Sequence, residues 1–240
     1  MADQLYLSLW FPNFRLTALP AALVGVMRQF ARVSMSGDKN VSASGDRTGS
    51  QSDARVSAAT VFPIDWTESP IYQRIYVLDP RAAENTDTSG SIIENAVAEA
   101  TASLHEDMAY EFEMKWNLWI PVANPEADIA LDPPLDIAWR LEPATVKIIG
   151  FGPEFDNGGF EQNGQIRIDF GLDTPWVLEE DETAAPLDAT ATQRIQQNVE
   201  KLLAFTLSVE KHCGISSRLL WTESGEPLAE KLIARLQRLN

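Results

Sequence analysis

The sequence predicts an α+β fold in which an antiparallel or mixed β-sheet carries helices packed on one face. The main observation is the alternation of apolar and polar residues over positions 109–121. Successive side chains of a strand point to opposite faces, so this alternation makes one face apolar and the other charged. A second alternating stretch at 165–171 and several apolar stripes of helical period support the same fold class. A sheet buried on both faces would instead require almost continuously apolar strands.

The central predicted strand, 109–121, places an apolar residue on every second position: Tyr110, Phe112, Met114, Trp116, Leu118 and Ile120. Glu111, Glu113, Lys115 and Asn117 occupy the positions between them and are expected on the solvated face. Trp119 also falls on that face, where a loop, a second layer or a ligand must cover it. Packing under a loop near the end of the strand is the favoured interpretation, and an aromatic floor of a binding site is the alternative.

The first half of the chain predicts the element order β-α-β-β-α-β, which is that of a ferredoxin-like unit. Before the central strand, these elements are expected at 5–11, 17–30, 56–64, 71–78 and 91–104. The second helix begins with a capping box formed by Ser91 and Glu94. The segment 35–53 is rich in Ser, Gly and Asp, which predicts an exposed loop.

The second half predicts the order β-β-α-β-α. Extended stretches are expected at 137–141 and 145–151, and further elements at 165–171, 190–213, 217–221 and 227–239. Prolines in 122–135 predict a linker between a ferredoxin-like unit at 1–121 and a second α+β unit at 136–240. One continuous two-lobed domain is the alternative.

The chain is strongly acidic, with 19 lysine and arginine residues against 35 aspartate and glutamate residues and a formal net charge of −16. This charge disfavours non-specific binding to nucleic acid or to an anionic membrane, both of which need a basic surface. It is typical of an acidic, soluble protein of bacterial type. An inhibitor that mimics nucleic acid is an alternative use of such a surface.

The single cysteine excludes an internal disulfide and a thiolate zinc cluster, so a reducing compartment is expected. The sequence shows no signal-peptide pattern and no apolar stretch long enough to span a bilayer, which predicts cytoplasmic localisation. His105 and His212 lie far apart in sequence, so no metal site is expected from histidines. No cofactor motif is present, and no cofactor is predicted.

Candidate site residues lie on the charged faces of the two amphipathic strands: Glu111, Glu113, Lys115, Trp119, Arg167 and Asp169. If both strands belong to one sheet, these side chains can line a common surface. The simplest interpretation is a set of solvated cross-strand ion pairs, each worth at most about 1 kcal/mol. The alternatives are a polar binding surface and an acid/base carboxylate pair of glycosidase type, which requires a perturbed carboxylate in a cleft.

These observations favour a non-catalytic binding or protein-interaction protein that uses the exposed sheet face, with a protein partner or a second copy as its ligand. A carboxylate-dependent hydrolase-like enzyme is the second hypothesis, and an acidic nucleic-acid mimic is the third. A hydrolase predicts a desolvated carboxylate inside a pocket.

Overall fold

The computed structural model describes residues 3–36, 55–77, 88–123, 137–176 and 189–224. Within these ranges the chain forms seven strands and four α-helices. They are β1 (Gln4–Trp10), α1 (Leu19–Ser36), β2 (Val56–Pro63), β3 (Tyr72–Ile75), α2 (Thr88–Ala100), β4 (Met108–Ala123), β5 (Ile137–Phe151), α3 (Phe160–Asn163), β6 (Ile166–Leu172), α4 (Ala189–His212) and β7 (Ser217–Thr222). None of the helices in these ranges is both long enough and apolar enough to cross a membrane.

All seven strands form one sheet in the order β3-β2-β4-β5-β6-β1-β7, and every neighbouring pair is antiparallel. The predicted α+β class and antiparallel sheet are therefore confirmed. β4 and β5 form the longest ladder, from Ala109↔Phe151 to Ala123↔Ile137. Strands from both halves of the chain share this sheet. The division into units at 121 and 136 stays a prediction, since residues 124–136 lie outside the described ranges.

The ferredoxin-like arrangement is not confirmed, although the element order of the first half matches it. β1 pairs with β6 and β7 of the second half, rather than with a strand of the first half. The second half follows the predicted order as far as β7, while the predicted final helix at 227–239 lies outside the described residues. The two extended stretches expected at 137–141 and 145–151 form one strand, because β5 continues through Pro143.

The main core lies between the sheet and a layer formed by α1, α2 and α4. The apolar stripe of α1 predicted from the sequence is fully buried and consists of Leu19, Leu23, Val26, Met27 and Phe30. The alternating apolar residues of β4 face these helices, as predicted. Trp116 lies at the centre, with its ring centroid 5.0 Å from Phe30, 5.5 Å from Phe170 and 6.4 Å from Phe205.

The opposite face of the sheet carries a smaller cover at one end only. Segment 152–164, which links β5 to β6 and includes α3, folds over the sheet there. It forms a second cluster with the turn between β2 and β3, in which Trp66 lies 5.2 Å from Phe62 and 5.0 Å from Phe155 between ring centroids. Beyond this cover, the described residues place no long helix on this face.

Candidate functional site

The strand register assembles a row of side chains across the face opposite the long helices. Glu113, Lys147, Asp169, Tyr6 and Trp221 are direct neighbours on β4, β5, β6, β1 and β7, in that order. Acidic, basic and acidic side chains therefore lie side by side, followed by two aromatic rings. Tyr6 and Trp221 could not be placed beside the predicted site residues from sequence, because the partners of β1 were unknown.

A second row lies one step further towards the covered end of this face. It contains Glu111, Ile149, Arg167, Ser8 and Leu219, again on neighbouring strands. Four of the six predicted site residues thus share one surface, as the hypothesis of a common sheet requires. We call Tyr6, Glu111, Lys147, Arg167, Asp169 and Trp221 the open-face site.

Arg167 is the most enclosed cation of the open-face site. Its guanidinium carbon lies 5.2 Å from the ring centroid of Tyr6, 5.3 Å from that of Phe151 and 5.8 Å from that of Trp66. Its Nη1 donates a hydrogen bond to Oδ1 of Asn163 at 3.1 Å, and its buried Nε has no partner among the described residues. Burial lowers the pKa of Arg167, but a guanidinium remains charged at neutral pH.

Tyr6 and Trp221 extend the aromatic surface towards the edge of the sheet. Their ring centroids are 4.6 Å apart, and Nε1 of Trp221 donates a hydrogen bond to Oγ of Ser8 at 2.9 Å. Burial, and then the nearby Asp169, raise the pKa of Tyr6, so its hydroxyl stays protonated at neutral pH. Leu219, on the edge strand beside this pair, is 51% exposed. The row therefore offers a partly exposed apolar surface next to a fixed cation.

Glu111 corrects the expectation that every charged residue of β4 is solvated, because it is only 6% exposed. It lies between Thr60 of β2 and Ile149 of β5. Its carboxylate forms an ion pair with Lys147, in which Oε1 of Glu111 lies 3.2 Å from Nζ of Lys147. Burial raises the pKa of Glu111, and the charge of Lys147 partly offsets this. Glu113, two residues along the strand, is only half-buried.

Lys115 and Trp119 lie on β4 beyond these rows. Lys115 is exposed. Trp119 is six residues from Glu113, which corresponds to about 20 Å along an extended strand. The guanidinium of Arg194, on α4, covers its ring at 3.5 Å from the centroid. Helix α4 therefore covers Trp119, which does not join the open-face site.

A cavity of about 180 Å³ is lined in part by segment 152–164. Its lining consists of Phe11, Phe14, Leu16, Phe151, Pro153, Phe160 and Gln165. The lining contains no carboxylate, so this cavity does not supply the cleft that a carboxylate hydrolase requires. Among the described residues, no group of three or more His, Cys, Asp or Glu side chains is arranged to hold a metal ion.

Sequence reasoning missed Tyr6 and Trp221 as members of the site, and it missed Trp66 as a ring beside Arg167. Trp66 sits in a turn, and the other two lie on strands with weak alternation, so no local pattern associates them with Arg167. Comparison with protein-family models, with curated protein sequences and with solved structures gives no match to this chain.

Proposed function

We propose that this protein is a non-catalytic protein-interaction protein that binds its partner through the open-face site. The observation that supports this most directly is the arrangement around Arg167, whose guanidinium is bordered by three aromatic rings on the face without long helices. Arginine, tyrosine and tryptophan are the residues most enriched among those that dominate binding energy in protein interfaces.

The geometry also favours binding because the central cation is already held in place. The hydrogen bond from Arg167 to Asn163 and the ring contacts restrict the side chain before a partner arrives. Less side-chain entropy is then lost on association, which improves affinity without new contacts. The partly exposed Tyr6, Trp221 and Leu219 supply adjoining apolar area.

A carboxylate-dependent hydrolase is the second candidate, and the raised pKa of Glu111 supports it. Against it, the carboxylate of Glu111 is engaged by Lys147 and lies on a sheet face. A nucleic-acid mimic gains less support, because Lys147 and Arg167 place two cations in the middle of the same surface.

The proposal is tested by photo-crosslinking from position 219 in a lysate of the source organism, with position 203 on α4 as the control. Leu219 and Leu203 are both exposed leucines, but only Leu219 borders the open-face site. We expect a defined adduct from position 219 alone. Arg167→Ala should reduce its yield about tenfold or more, as expected for a central interface residue.

Self-association is the other form of the same function, and sedimentation velocity of the purified protein measures it. A dimer that dissociates in Arg167→Ala and Leu219→Ser, but not in Leu203→Ser, identifies a second copy as the partner. Equal crosslinking from both positions, or adducts and association states unchanged by Arg167→Ala, would overturn the proposal.

A further inference from the structure

A second exposed surface lies at the end of the sheet where three connecting segments meet. These are the turn 64–71 between β2 and β3, the segment 101–107 before β4, and the segment 152–164 between β5 and β6. We call this the loop-end surface. It adjoins the open-face site at Trp66, whose ring lies beside Arg167 and also packs against Phe155 of segment 152–164.

Backbone hydrogen bonds join the three segments around Ile64. The amide of Ile64 donates to the carbonyl of Asp107, and the carbonyl of Ile64 accepts from the amide of Asp156, both at 2.7 Å. The amide of Glu154 donates to the carbonyl of Glu106 at 2.8 Å. The segments therefore form one connected surface rather than three independent loops.

Apolar side chains project into solvent from this surface. Ile64 is 56% exposed, Ile71 is 59% exposed and Trp66 is 37% exposed. Ile64 also adopts φ 62°, a left-handed conformation that is strained for a β-branched residue. Burial does not compensate this strain, since more than half of the side chain lies in solvent. A cluster of exposed apolar residues with fixed backbone positions is typical of an interaction site.

The charges around these apolar residues define what can bind them. The three segments contain no lysine or arginine, and their acidic residues are Asp65, Glu68, Glu106, Asp107, Glu154, Asp156 and Glu161. His105 is the one histidine in these segments, and its Nδ1 lies 2.6 Å from Oδ1 of Asp107. The three segments are therefore acidic, and Arg167 of β6 lies beside them, 5.8 Å from the ring centroid of Trp66.

We propose that the loop-end surface binds a segment of another protein in which lysine or arginine residues alternate with apolar residues. Complementary charge steers such a segment to the surface and fixes its position, while its apolar side chains cover Ile64, Trp66 and Ile71. A second copy of the same surface, a nucleic acid and an anionic membrane all meet like charge here, which disfavours each of them. Trp66 contacts both surfaces, but this proposal does not require a partner at the open-face site.

Fluorescence anisotropy with labelled peptides tests the proposal on the full-length protein. The probe is a peptide of alternating lysine and leucine, compared with a lysine–serine peptide of equal charge and a glutamate–leucine peptide. We expect the lysine–leucine peptide to bind about tenfold or more tightly than the lysine–serine peptide. The glutamate–leucine peptide should not bind. Equal binding of both lysine peptides would show charge attraction alone and would overturn the proposal.

Variants locate the binding site of the lysine–leucine peptide. Ile64→Asn removes the exposed apolar group, and it suits a left-handed backbone better than isoleucine. It should weaken binding about fivefold or more without lowering the melting temperature. Ile71→Ser should weaken binding in the same direction. Leu207→Ser, at an equally exposed leucine of α4, is the matched control and should leave the affinity unchanged.

The contribution of charge to peptide binding is tested with two double variants. Glu68→Gln/Glu106→Gln removes two negative charges from the loop-end surface. The control, Glu200→Gln/Glu210→Gln, removes two negative charges from α4. Only the first pair should weaken binding and reduce its dependence on salt. Equal effects of both pairs, or unchanged binding in Ile64→Asn, would refute the assignment. Leu219→Ser, which alters the border of the open-face site, should leave binding of the lysine–leucine peptide unchanged. The proposal for the open-face site and the proposal for the loop-end surface can therefore be refuted separately.

Discussion

The side-chain amide of Asn198 pairs with the backbone of Trp119 as a neighbouring strand would. Its Oδ1 accepts from the amide of Trp119 at 3.0 Å, and its Nδ2 donates to the carbonyl of Trp119 at 2.8 Å. The same Nδ2 also donates to the carbonyl of Pro175 at 2.8 Å. The β2–β4 ladder ends at Val56↔Met114. Helix α4 therefore satisfies backbone groups of β4 that lie beyond the last strand pairing on that side.

Replacement of Asn198 should destabilise the protein strongly. Asn198→Ala leaves the amide and carbonyl of Trp119 and the carbonyl of Pro175 without these partners, and Asn198 is buried. Unpaired buried polar groups cost about 1–3 kcal/mol each, so we expect a loss of about 3 kcal/mol or more in the free energy of unfolding. Urea denaturation followed by circular dichroism measures it.

Gln196→Ala serves as the control for Asn198→Ala, because Gln196 lies two residues away on the same helix and is exposed. Its effect should stay within about 0.5 kcal/mol. A change of that size in Asn198→Ala as well would show that solvent satisfies these backbone groups.

Trp116 should tolerate replacement by phenylalanine far better than by alanine. Its ring fills the centre of the core, but its buried Nε1 has no hydrogen-bond partner among the described residues. Trp116→Ala should lower the free energy of unfolding by about 3–5 kcal/mol, as for other large core truncations. Trp116→Phe loses volume but also removes an unsatisfied donor, so a loss below about 2 kcal/mol is expected.

The same urea titration checks both variants of Trp116. Similar losses for Trp116→Phe and Trp116→Ala would mean that the indole N–H forms an important hydrogen bond in solution.

Gly152→Ala should disturb the junction between segment 152–164 and the turn before β4. A Cβ at this position would lie 2.3 Å from the carbonyl oxygen of Glu106, and that atom is backbone. Relief of the clash requires movement of the chain, which costs about 1–3 kcal/mol. Differential scanning calorimetry should show a lower melting temperature.

Gly214→Ala is the matched control for Gly152→Ala, since Gly214 has φ 62° but open space around its Cβ position. It should lose only about 1 kcal/mol from backbone strain. A larger loss in Gly214→Ala than in Gly152→Ala would contradict the close packing at Gly152.

Glu111→Gln should stabilise the protein at neutral pH and not in acid. Burial raises the pKa of Glu111 above its ordinary value of 4.5, so the folded state holds the proton more tightly than the unfolded state. Tighter proton binding by Glu111 stabilises the folded state fully below pH 4.5, and this stabilisation is lost as pH rises through the folded-state pKa. Glutamine stays neutral throughout, so the variant should gain on the order of 1 kcal/mol relative to wild type by pH 7.

Denaturant titrations of Glu111→Gln between pH 4 and pH 7 measure this gain. Glu113→Gln, on the same strand face but half-buried, is the control and should show a smaller change. A variant less stable than wild type at pH 7 would indicate that the ion pair with Lys147 outweighs the burial of the carboxylate.

Local patterns predicted the elements of this fold because they depend on side-chain period. The alternation in β4 and the stripe of α1 each identify a buried face without knowledge of any partner. The same reasoning placed Glu111, Glu113, Arg167 and Asp169 on polar strand faces. All four lie on one face of the sheet.

Pairing between distant segments was not predictable, because strand order leaves no local pattern in sequence. The alternation that identified Glu111 as polar-facing could not show that Thr60 and Ile149 flank it. The position of Trp66 against Arg167 depends on a turn between β2 and β3 reaching the β5–β6 connection, which no spacing encodes. The aromatic half of the open-face site was missed for this reason.

The place of β1 between β6 and β7 has a consequence for the order of folding. During synthesis on the ribosome, the first strand must wait until residues 166–172 and 217–222 have emerged before either neighbour exists. Leu5, Leu7 and Leu9, which are fully buried in the folded protein, stay without their final strand partners until those residues have been synthesised. Long-range pairings of this kind slow folding and prolong the exposure of apolar segments. Closure of the sheet by β1 is therefore a late event, in which a strand that is synthesised early waits for neighbours that are synthesised much later.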